Sequence, residues 1–270
     1  MTPAITTARR NSFILALRYA LRELRGGLKG FYVFVACIAL GVMAIAGVGS
    51  VASSLGDGLE REGRKLLGGD AAFSLIQREA TAQERGFLES RGNVSSAATL
   101  RGMARAGADQ FALVELKAVD DLYPMVGELA LEPKILRNEL FAEKDGAFGA
   151  AADPVLLTRL GLKVGDRVRV GNTSFALRSA IASEPDKLAG GIGFGPRLLI
   201  SEAGLRATGL LQPGSLVRWT YRVRLPDGAD NEKAAQKLIE ATRSAVPEAG
   251  WEVRSRANAS PQLERNISRF

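Results

Sequence analysis

The chain has 270 residues, 46% hydrophobic and 24% charged, which suffices for one large or two small well-buried units and excludes a largely disordered chain. Its formal net charge is +7, but residues 1–29 hold Arg9, Arg10, Arg18, Arg22, Arg25 and Lys29 against Glu23 alone, and the near-balanced remainder argues against a nucleic-acid-binding surface. There is no histidine and a single cysteine, Cys37, so Ser-His-Asp and Cys-His catalysis, the usual zinc sites and any intrachain disulfide are excluded.

Residues 1–29 read as a cytoplasmic amphipathic helix, with Ile14, Leu17, Leu21 and Leu24 at helical spacing and Arg18, Arg22 and Arg25 on another face. Gly30–Gly56 contains no charged residue. As a helix this run would reach about 40 Å, more than the roughly 30 Å hydrocarbon core, and 30–54 is expected to be a transmembrane helix. Ala44-Ile45-Ala46 has the form of a signal-peptide cleavage site, but the long basic segment before the run fits an uncleaved anchor better. Arg18, Arg22, Arg25 and Lys29 would hold the N-terminus in the cytoplasm and place residue 57 onward outside.

Residues 55–256 read as an extracytoplasmic α+β domain. Leu55, Leu59, Leu66 and Leu67 continue the helix to a stop at Gly68-Gly69. A strand follows at Ala71–Ile76, and Thr81 with Glu84 is a capping-box signature for a helix to Glu89. Val94–Ala106 and Phe111–Val119 read as a hairpin, the second strand covered on both faces. A helix at Pro154–Leu160 and a hairpin in which Val164, Val168 and Val170 share a face form an expected small β module, 151–194. Arg197–Ser201 reads as a strand and Ser201–Leu205 as a short helix. In Leu216–Leu225, Val217, Trp219, Tyr221, Val223 and Leu225 alternate with Arg218, Arg222 and Arg224, a half-buried strand with its arginines outward. Asn231–Val246 reads as an amphipathic helix and Trp251–Val253 as a closing strand. Residues 257–270 read as the start of a helix leading back to a second span.

The order of several short motifs resembles the permease subunits of FtsX-like and MacB-like ABC transporters, and most closely the permease of a lysophospholipase- or arylesterase-associated export system. They are Leu15–Arg25 before the first span, Tyr123-Pro124 with Gly127-Glu128-Leu129, Leu160–Asp166 and Thr208–Ser215. The resemblance implies a MacB-like extracytoplasmic core domain after the first span of a bacterial cytoplasmic-membrane protein. It also implies a cytoplasmic ATPase subunit on a separate chain that binds the ATP, no cofactor in this chain, and force transmission to lipidic cargo or to a partner such as an extracytoplasmic esterase. The later spans of such permeases are absent from these 270 residues. The alternative is a single-pass anchored binding or scaffold protein. A membrane-anchored hydrolase would need a serine–lysine scheme, and no Ser-x-x-Lys occurs.

The glycine cluster Gly190, Gly191, Gly193 and Gly195 lacks the strand and helix of a dinucleotide fingerprint and the Lys-Ser/Thr of a P-loop, and reads as a mobile loop. The carboxylate pairs Asp120-Asp121 and Glu184 with Asp186 are expected to be solvated rather than metal-ligating or catalytic.

Overall fold

The computed structural model describes residues 19, 29–107, 109–187, 195–226 and 231–255, with side chains of 29–31, 51–62 and 231 left aside. The expected helix 1–29, apart from Tyr19 and Lys29, and the segment 257–270 lie outside the described residues. Two compact units divide the chain, Met1–Gly58 and Leu59–Phe270.

Helix α1, Lys29–Leu67, is the longest element. Its stretch Tyr32–Ser50 has mean hydropathy 2.3 and is wholly unburied, so it is long and apolar enough to cross a membrane. The helix stops where expected, by a mechanism visible in its hydrogen bonds. Gly68, at φ 75°, donates to the Lys65 carbonyl and Gly69 donates back to the Arg64 carbonyl. This Schellman arrangement requires the left-handed backbone that glycine adopts without a Cβ clash.

The second unit is mixed α and β. Its strands are β1 Ala71–Ile76, β2 Asn93–Ala106, β3 Gln110–Val119, β4 Ala130–Glu132, β5 Glu143–Lys144, β6 Ala147–Ala152, β7 Arg167–Val170, β8 Thr173–Ser183, β9 Arg197–Ser201, β10 Arg218–Arg224 and β11 Glu252–Ser255. Its further helices are α2 Ala82–Glu89, α3 Arg137–Phe141, α4 Pro154–Leu160, α5 Glu202–Ala207 and α6 Asn231–Ala245. All the strands join one sheet, ordered β11-β1-β10-β2-β3-β9-β6-β8-β4, with β5 on β6 and β7 bridging β8 to β2. That bridge closes six strands into a ring, β2-β3-β9-β6-β8-β7, because Ala104 and Arg105 at the far end of β2 pair with Val170 and Arg169. Closure leaves those strands without open edges. The expected module 151–194 therefore supplies its hairpin to the same sheet, and Ala151 lies inside β6.

Two main apolar cores flank the sheet, and a third, small cluster joins Leu66 and Leu67 of α1 to Ala72. The larger gathers Ala71, Phe73, Trp219, Tyr221 and Val223 with Leu88 of α2, Leu156 of α4, Leu205 of α5 and Leu238 of α6. Trp251 closes it at the β11 end, edge-on to Phe73 at 5.8 Å and to Tyr221 at 5.7 Å. The smaller core lies on the opposite face, where Ala97, Val119 and Leu199 meet Tyr123, Leu131 and Leu140 of the segment between β3 and β6. This second face carries the candidate site.

Three expectations change. β3 is covered on both faces only from Leu116 onward, since Phe111 and Leu113 are exposed near the hairpin tip. Val164 does not share the buried face of Val168 and Val170, because it precedes the strand in a turn and is exposed. β6 was not expected as a strand. Its sequence, Ala-Phe-Gly-Ala-Ala-Ala, has no alternation to read, yet it sits centrally between β9 and β8.

Candidate functional site

The period-2 pattern correctly turns Arg218, Arg222 and Arg224 away from the larger core. At Arg222 the opposite face is not solvent, however, because the end of α1 packs there, and Arg222 is only 8% exposed. Its Nε donates to the Leu67 carbonyl at 3.0 Å, and its Nη2 lies 2.5 Å from Asp186 Oδ2. A Cβ at Gly68 would stand 2.9 Å from Arg222 Cδ, so the glycine that stops the helix also admits this arginine.

Asp186 in turn accepts from Lys117 Nζ at 2.7 and 2.8 Å, and Tyr123 Oη lies 2.7 Å from Asp186 Oδ1. Lys117 of β3 also donates to Glu184 Oε1 at 2.5 Å and to Tyr123 Oη at 2.9 Å. Arg197 of β9 completes the set, donating to Glu184 at 3.0 Å and to Glu115 at 2.5 Å. Three cations, Lys117, Arg197 and Arg222, thus face three carboxylates, Glu115, Glu184 and Asp186. Beside them the fully buried Asp70 accepts from the Leu225 N–H at 2.9 Å and from Arg64 Nη2 of α1 at 3.2 Å.

The electrostatics follow from burial against charge. Burial alone would raise the Asp186 carboxyl, but Arg222 and Lys117 outweigh it and hold Asp186 well below the usual carboxylate range. Burial pulls the Lys117 ammonium down from its ordinary value, opposed by Asp186 and Glu184. Burial, followed by the same two carboxylates, pushes the Tyr123 phenol far up, so it serves as a neutral hydrogen-bond donor.

Glu184 and Asp186 are therefore not the solvated pair expected of them. They are 7% and 2% exposed and carry the cluster. Asp120 also departs from expectation, accepting from Ser95 Oγ at 2.7 Å and the Ser96 N–H at 2.6 Å, while Asp121 is exposed. Arg18, Arg22, Arg25, Gly190, Gly191 and Gly193 lie outside the described residues. Lys29 is the first residue of α1. Gly195 is placed against β3, where a Cβ would come within 3.0 Å of the Leu113 carbonyl oxygen. Among the described residues no group of three His, Cys, Asp or Glu is arranged to hold a metal ion.

Chemically the cluster's cations and carboxylates are bonded to one another, and Arg222 keeps only its Nη1 outside those bonds. The cluster joins the last turn of α1 to β3, β9, β10 and the segment after β8, and its charges balance only when those parts are in place together. Next to it on the same face lies a cavity of about 630 Å³, bounded by Leu67, Ser74, Thr99, Arg218, Thr220 and Arg222 among others.

No protein-family model matches the chain. Over 191 residues, 68% of the chain, it is 31% identical to the uncharacterized ABC transporter permease YbbP of Escherichia coli, and it spans 22% of that relative's length. Two solved structures are similar at low identity. The periplasmic region of MacB from Actinobacillus actinomycetemcomitans gives a TM-score of 0.48 at 12% identity, covering 77% of this chain and 96% of that one. The extracellular domain of the noncanonic ABC-type transporter YknZ from Gram-positive bacteria gives 0.48 at 11%, covering 68% and 100%. Across two thirds of its length, this chain is thus similar in sequence to one part of an ABC transporter permease.

Proposed function

We propose that this chain is the N-terminal part of an ABC transporter permease that works by transmitting force. ATP is bound and hydrolysed by a separate cytoplasmic subunit, and α1 crosses the bacterial cytoplasmic membrane once with its N-terminus inside. The unit from Leu59 onward stands outside and moves hydrophobic or lipidic cargo, or acts on a partner such as an esterase. The sequence similarity to a permease supports the class. The observation that carries the mechanism is the bonding of the last turn of α1 to the sheet. Leu67 through Arg222 and Arg64 through Asp70 make a stiff, buried junction where a displacement of those turns is passed to β10 and β3. A lone anchor for a scaffold would need no such junction.

Co-expression with an ABC ATPase subunit, followed by purification through a tag on this chain in neutral detergent, tests the reading. Retention of the ATPase supports it. A chain that captures only extracytoplasmic partners would instead be the anchored scaffold. Orientation is tested by protease protection in sealed cells, where residues from 57 onward are expected to be accessible from outside. Replacing Arg18, Arg22, Arg25 and Lys29 by glutamate is expected to disturb that orientation.

A further inference from the structure

We propose that the 630 Å³ cavity beside the ionic cluster is a phosphate-binding site whose principal donor is Arg222. Two of the three guanidinium nitrogens of Arg222 are engaged, Nε by the Leu67 carbonyl and Nη2 by Asp186. The third, Nη1, is buried, belongs to a side chain lining the cavity, and has no hydrogen-bond partner among the described residues. A buried guanidinium N–H without an acceptor is costly, and an oxyanion in the cavity would satisfy it.

Charge points the same way. Six basic side chains line the cavity: Arg101, Lys117, Arg197, Arg218, Arg222 and Arg254. Two carboxylates, Glu115 and Asp186, line it with them. A phosphate monoester carries about −1.5 to −2 at neutral pH and offers three acceptor oxygens.

The strand register supplies further donors. Ser74 pairs with Thr220 and Thr99 with Arg218, which sets hydroxyls on the same face in adjacent rows. Ile76 and Leu216, 52% and 74% exposed, form an apolar rim suited to the organic part of a phosphate ester.

Calorimetric titration of the full chain in neutral maltoside micelles tests this, with inorganic phosphate in one arm. In the other arm the micelles are doped with phosphatidic acid, and phosphatidylcholine serves as the control. Saturable 1:1 binding is expected, weakened about tenfold or more in Arg222→Lys, which keeps the charge but not the forked donors. Because that change also touches the cluster, circular dichroism must show it folded. Glu252→Gln, an exposed partner of the lining Arg218 and Arg254, is expected to strengthen binding about threefold by removing an opposing charge. Binding of inorganic phosphate supports a site that takes the free ion. Binding of phosphatidic acid alone supports a lipid headgroup. No binding in either arm, or binding indifferent to both substitutions, overturns the proposal.

Discussion

Replacing Lys117 with methionine removes one cation from the balanced cluster while keeping nearly the same side-chain volume. Lys117 is 2% exposed and holds Glu184 at 2.5 Å and Asp186 at 2.7 Å. Without it, three carboxylates, two of them buried, face two guanidinium groups. Stripping one partner from a buried ion pair costs about 3–5 kcal/mol, chiefly for the charge left uncompensated. For a unit of this size each kcal/mol moves the melting temperature by about 2–4 °C, so a fall of about 6–20 °C is expected. The assay is thermal melting of the full chain in neutral detergent, followed by circular dichroism in the strand region. The double variant Lys117→Met/Glu184→Gln restores two charges against two. It is expected to lie at least about 1.5 kcal/mol above the sum of the single changes. A fall below about 3 °C in the single variant, or strict additivity in the double, would refute the reasoning.

Other outcomes follow from the same geometry. Because the Asp186 carboxyl is depressed in the folded chain, its contribution is fully present above the ordinary carboxylate pKa of about 4 and is lost as pH falls below it. Acid titration of stability should therefore flatten below pH 4 in Asp186→Asn relative to the parent. A fragment of residues 59–255 should melt higher than one of residues 68–255. The shorter fragment lacks the buried Leu67 side chain and the Leu67 carbonyl that Arg222 uses, together worth about 3 kcal/mol; equal melting would show that the helix end is not bonded as described. Gly149→Ala should destabilise by about 3 kcal/mol, since its Cβ would collide with the Leu140 carbonyl oxygen, whereas Gly86→Ala, with open space around it in α2, should stabilise by about 0.5–1 kcal/mol. Chemical denaturation of both variants checks the pair, and similar effects would refute the packing account.

Much of the fold was legible where local chemistry decides it. The capping box at Thr81 and Glu84 is made in full, the glycine stop after Leu67 is a Schellman turn, and Ser201 caps α5. The span Tyr32–Ser50 was legible from hydropathy. The parts decided by distant packing were not. β6 is built of small residues so that the α3 carbonyls can approach Gly149, which erases the alternation a strand is recognised by. The candidate site was the least legible part. Lys117 falls in a run where both faces read as covered, and nothing local shows that Glu184 and Asp186, about 70 residues away, will neutralise it. The one available signal was the position of Arg222 in an otherwise regular strand. Its burial depends on the end of α1, about 155 residues earlier.

The position of β10 between β1 and β2 sets a schedule for biosynthesis. β1 leaves the ribosome early, directly behind the greasiest part of the chain, yet its sheet neighbours are residues 218–224 and 252–255. At about 5–20 residues per second it waits roughly 7–30 seconds before either can arrive. During that interval an apolar hexapeptide, Ala-Ala-Phe-Ser-Leu-Ile, has its backbone donors and acceptors unclaimed. Nascent chains stalled in this window would be the ones most dependent on a holdase and most prone to clump.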